Sequence, residues 1–133
     1  MIINNNKLNT AGSVWTINKK VRDLLSNGVE GGTFSLNGEK TPSTGYMVSI
    51  RGLEEIITPE CILACFQPVA NFLFENEDIL SKENHFFGFW SCSGKVYLDV
   101  SINFECINEA HQFGYDNKQL AIWDLANMAE ITL

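Results

Sequence analysis

Residues 95–104, Lys-Val-Tyr-Leu-Asp-Val-Ser-Ile-Asn-Phe, alternate without a break. Val96, Leu98, Val100, Ile102 and Phe104 share one parity, and Lys95, Tyr97, Asp99, Ser101 and Asn103 the other. Successive strand side chains point to opposite faces, so this period of two predicts a strand with one face on a core. The other face is left to water, a partner or a polar site. The segment before it, His85–Cys92, is apolar on both parities and reads as an interior strand covered on both sides over part of its length. Ser93-Gly94 separates the two, so residues 86–92 and 95–103 are predicted to pair as an antiparallel hairpin.

The remaining segments are fitted around that hairpin. Met1 to Ser13 is Asn-rich and without periodicity, which predicts a flexible arm or a short edge strand. Ile17, Val21, Leu24 and Leu25 recur at helical spacing, and Ser26-Asn27-Gly28 supplies a left-handed stop, giving a helix over about 17–27. Thr33–Leu36 reads as a strand, Asn37-Gly38 as a tight hairpin turn, and Gly45–Arg51 as the second strand. Thr58-Pro59-Glu60 opens a main core helix, striped by Ile62, Phe66, Val69 and Leu73 and widened by Leu63, Ala70 and Phe74. Pro68 should kink that helix or break it in two. Beyond it Glu75, Glu77, Asp78 and Glu83 read as an exposed acidic loop. Cys106–Tyr115 has one apolar helical face, and Gln119–Leu125 returns as a strand. The expected architecture is one α+β domain over residues 1–133, with a mainly antiparallel sheet of about five strands and two or three helices packed largely on one face.

Composition agrees with a single domain that carries a core of its own, since 133 residues at 45% hydrophobic content need neither disulfide nor metal to fold. No apolar run approaches the roughly 20 residues that span a bilayer, and the opening Met-Ile-Ile-Asn-Asn-Asn-Lys has no signal-peptide apolar region. A soluble cytoplasmic protein without membrane contact is therefore expected. Net charge is −7 but unevenly spread. Residues 1–51 hold six basic and three acidic residues, +3, whereas residues 52–133 hold three and thirteen, −10. Such acidity repels nucleic acid and favours basic partners, including proteins that themselves bind nucleic acid; solubility, the commoner reason for such a charge on a small domain, also explains it.

The residues that could carry chemistry are few. Cys61 and Cys65 stand four apart, but zinc sites draw on paired short knuckles, and only one such pair exists, so all four cysteines are expected to be buried, reduced and unmetallated. His85 and His111 have no partner at a useful spacing, which favours packing or capping. Residues 28–38 are glycine-rich but match no phosphate-binding loop, and no Gly-x-Ser-x-Gly elbow is present. Trp15, Trp90 and Trp123 could stack on bases, yet no basic field accompanies them. Neither a catalytic set nor a cofactor is predicted.

Tyr97-Leu-Asp-Val-Ser101, Glu109-Ala110 and Gln119-Leu-Ala-Ile-Trp-Asp-Leu125 resemble the C-terminal signature of a family of small uncharacterised proteins carried by bacterial phages, plasmids and other mobile elements. Gly32-Thr-Phe34 and Thr44-Gly-Tyr-Met-Val-Ser49 are similar to its upstream part, so the likeness covers roughly 30–125. The long apolar helix and the Cys-rich strand depart from it. The resemblance implies a setting inside a bacterial host, where small acidic proteins act as accessory or anti-defence factors, including inhibitors of CRISPR effectors. Two functions are thus expected. The first is a non-enzymatic protein that binds and inhibits a host protein through Glu75, Glu77, Asp78 and Glu83, the partner being a basic nucleic-acid-binding effector. The alternative is a small enzyme or ligand-binding domain whose polar sheet face is lined by Tyr46, Arg51, Tyr97, Asp99 and Ser101. Oligomeric state is not set by the sequence.

Overall fold

The computed structural model describes residues 5–133, with side chains from Ala11 onward. Its centre is the expected hairpin: β4 (His85–Cys92) pairs antiparallel with β5 (Lys95–Phe104), Cys92 opposite Lys95 and His85 opposite Ile102. Ser93 and Gly94 take φ of 52° and 76°, the left-handed values that a two-residue turn requires. β1 (Gly31–Phe34) lies on the outer side of β4, so β4 is interior, and Phe86, Phe87 and Phe89 are buried although they point to different faces.

The other edge of β5 is shared. β2 (Tyr46–Ser49) covers residues 101–104, and β3 (Glu55–Ile57) covers 96–98. β6 (Ala121–Asp124) continues outward from β2, and β7 (Ala129–Thr132) from β6. Among the described residues seven strands result, where about five were expected, because β3 and β7 hold three and four residues and are too short to show a period. The class is α+β with an antiparallel sheet, and five helices stand among the described residues where two or three were expected.

Two local expectations are corrected and a third is met with a consequence for the core. α1 runs from Asn5 to Ser26, so residues 5–13 are helical; Met1 to Asn4 lie outside the described residues. Among the described side chains its buried side, Val14, Ile17, Asn18 and Val21, reaches a turn before the apolar stripe read from Ile17, and Asn-rich sequence can be carried as helix once propagation from a packed turn costs little. Second, Asn37-Gly38 closes no hairpin, because β1 pairs with β4 and β2 with β5 and β6. Asn37 instead donates from Nδ2 to Lys82 O at 2.9 Å, and Glu39 accepts the Asn84 amide at 3.0 Å, so the turn pins a crossing loop to the start of β4. Third, the main helix is broken as Pro68 suggested, into α2 (Pro59–Ala64) and α3 (Gln67–Glu75). The break resets the helical phase, so Phe72 takes the buried position and Phe74 is exposed. Asn18 Nδ2 donates 2.7 Å to Phe66 O at the break, while its buried Oδ1 meets no partner among the described residues.

The strand registers place every helix on one face of the sheet. Val96, Leu98, Val100, Phe87 and Phe89 meet α1, α2, α3 and the short α4 (Glu77–Leu80) in the larger core. α5 (Ile107–Asp116) covers the other end, where Ala110 packs with Val48, Ile122, Tyr46, Phe104 and Leu133. Gly114 permits this close approach, since a methyl group there would collide with the Leu133 side chain. Among the described residues, no helix is long and apolar enough to cross a membrane.

Candidate functional site

The opposite parity of β5 builds the polar site. Tyr97, Asp99 and Ser101 face away from the helices, and Ser49 joins them because β2 sets it directly across from Ser101. Ser49 Oγ donates to Asp99 Oδ2 at 2.7 Å and lies 3.3 Å from Ser101 Oγ. The second carboxylate oxygen, Oδ1, rests over Gly88 on β4, where any Cβ would strike it. Burial pushes the Asp99 carboxyl above its usual range, and the hydroxyls of Ser49 and Ser101 pull it part of the way back. Beside this group the sheet is aromatic: Trp90 stands opposite Tyr97, with its indole half exposed at 51%.

The five expected residues of the polar face are therefore not all brought together. Tyr46 pairs with Phe104, so it shares that residue's face and packs against α5. Arg51 lies beyond the end of β2, exposed, its backbone N–H bonded to Asn117 Oδ1 at 3.3 Å. Ser49 was missed because nothing within four residues of strand reveals a partner fifty positions away. Hydroxyl and carboxylate meet without an imidazole, since His85 pairs with Ile102 and so belongs to the helix side, its Nδ1 2.7 Å from Glu83 O. A Ser-Asp pair without a base between them holds a proton or a cation better than it activates a nucleophile.

The acidic residues lie on other elements. Glu75 closes α3, Glu77 and Asp78 form the first turn of α4, and Glu83 is exposed before β4, so the expected loop is partly helical. Leu80 anchors it in the core. Glu77 and Asp78 line a cleft of about 1110 Å³ between α1, the 35–41 loop and α4, with Glu39 and Lys20 also on its walls; Glu75 and Glu83 stay outside it. A smaller groove of about 490 Å³ leans the other way, with Lys19 and Arg22 against Asp23 and the exposed Trp15 beside Phe66. It accounts for part of the positive charge of the N-terminal half.

All four cysteines are exposed and unpaired with one another, which corrects the expectation of burial. α2 buries Ile62 alone, so Cys61 within it and Cys65 at its C-cap turn outward despite the apolar run around them. Cys92 ends a strand at the hairpin turn, and Cys106 precedes α5. Among the described residues no cluster of His, Cys, Asp and Glu could hold a metal ion. No protein-family model matches the chain, nor does any curated protein or any solved structure.

Proposed function

We propose that this chain is a non-enzymatic binding protein that occupies and inhibits a basic host protein. Its resemblance to mobile-element proteins supplies the setting, anti-defence, with nucleic-acid-binding effectors such as those of CRISPR systems as the partner class. The observation that carries the reading is the cleft whose walls, among the described side chains, hold Glu39, Glu77 and Asp78 against Lys20, giving a concave surface of net negative charge. Such a surface concentrates field and steers a basic partner, whereas nucleic acid is repelled. The alternative of a small enzyme on the sheet face loses ground because Tyr46 and Arg51 do not converge with Asp99.

The test begins with capture of partners from host lysate on the full chain, followed by association kinetics at two salt concentrations. Glu77→Lys with Asp78→Lys should slow association and flatten its salt dependence, with stability changed by no more than about 0.5 kcal/mol because both side chains stand outside the core. Unchanged association at both concentrations would exclude the cleft as the steering surface.

A further inference from the structure

Asp99 is a carboxylate laid flat on the sheet and only half used. Oδ2 is held from the β2 side by Ser49, while no protein donor reaches Oδ1 among the described residues. Oδ1 lies over Gly88, the one β4 position without a side chain, so the strand itself forms the floor of a shallow slot. Trp90 and Tyr97, each two positions along from Gly88 and Asp99, stand beside it on the same face. Gly31 lies beside the indole of Trp90, with its Cβ position 3.5 Å from the ring, so the indole rests against the β1 backbone while half of the residue stays in solvent.

We propose that this slot on the helix-free face of the sheet binds an arginine side chain of the partner protein, the guanidinium paired with Asp99 and stacked on Trp90. The chemistry fits each part. A planar cation can donate to Oδ1 while lying against an aromatic face, and it repairs the electrostatic cost of a carboxylate whose burial already disfavours its charge. Ser49 and Ser101 fix the carboxylate before the ligand arrives. A compact ammonium would gain less, because it cannot stack and bond through one plane. The inference takes from the proposed function only the class of partner; the slot is separate from the acidic cleft, whose walls are α1, α4 and the 35–41 loop.

The full chain, labelled with ¹⁵N, is titrated with Nα-acetyl-arginine methylamide and with the isosteric neutral citrulline derivative while amide and indole resonances are followed. Saturable shifts should appear at the Trp90 indole and at the Gly88 and Asp99 amides with the arginine probe, and be weaker by about tenfold with citrulline. Asp99→Asn should abolish the preference for arginine, and Trp90→Gln, at an exposed position, should weaken the arginine probe about two- to fivefold. Equal response to both probes, retention of the preference in Asp99→Asn, or shifts confined to the neighbourhood of Glu77 and Asp78 would each overturn the slot. If Asp99→Asn does not fold, the Trp90→Gln titration and the citrulline arm decide it. Partner association that still depends on Glu77 and Asp78 while the slot fails would leave the proposed function standing and remove this inference alone.

Discussion

The two faces of β5 are built from the same ten residues and obey different rules. On one, Val96, Leu98 and Val100 are fully buried against helices, and Leu98 faces Phe89 across the hairpin. On the other, Tyr97, Asp99 and Ser101 lie under no helix, and a carboxylate sits low enough for burial to disfavour its charge. The first face is organised by packing, the second by hydrogen bonds and by the absence of a side chain at Gly88. The difference teaches that alternation tells which residues share a face but not what each face does.

Leu98→Ala is the change that should separate them most. A cavity amid helices and strands leaves little to collapse into it, and a loss of about 2–5 kcal/mol is expected in denaturant unfolding. A mild effect would mean that the helix layer closes over the gap and that the packed face is less rigid than its burial implies.

Gly88→Ala strikes the polar face, where the new methyl would displace Asp99 Oδ1. The carboxylate can swing on its own χ angles, so the expected loss is smaller, about 1–3 kcal/mol. The displaced Asp99 should also lose its bond from Ser49. Unchanged stability with an intact Ser49 contact would show that the slot has more room than its floor suggests.

Asp99→Asn is expected to have the smallest effect, and of opposite sign. The folded-state carboxyl holds its proton more tightly than the unfolded one. Stability therefore falls as pH rises from the unfolded value through the raised folded value, and the full penalty remains above both. The amide avoids that penalty and can still accept from Ser49, so the variant should be modestly more stable than the parent at neutral pH. The advantage should disappear below the ordinary carboxylate range. Unfolding measured across pH 3 to 8 checks this; a variant less stable than the parent at pH 7 would show that the charge is already balanced in the free protein.

How much of this was legible follows from the range of each signal. The β4–β5 hairpin was, because its period, its turn and its partner all lie within twenty residues. Tyr97, Asp99 and Ser101 were placed together by parity alone. Tyr46 was not separable from them, since Tyr-Met-Val-Ser is apolar on both parities and only pairing with Phe104 decides its side. Asn37-Gly38 has the local chemistry of a hairpin, yet tertiary bonds from Asn37 to Lys82 and from Glu39 to Asn84 claimed it for a crossing. The cysteines misled for a related reason: composition around Cys61 and Cys65 is apolar, but a six-residue helix with one buried side chain leaves most of its surface outside. The cleft joins residues from three separated segments and left no trace in any one of them.

β5 is held along one edge by two unrelated pieces of chain, β3 at residues 96–98 and β2 at 101–104, and Asp99 falls at the seam between them. The two clips need not open together. β2 is itself buttressed by β6, whereas β3 is three residues long and has β5 as its one neighbour in the sheet. Brief detachment of β3 would free the edge beside Tyr97 without disturbing the Ser49 bond, so that edge can open while the Asp99 carboxylate stays fixed.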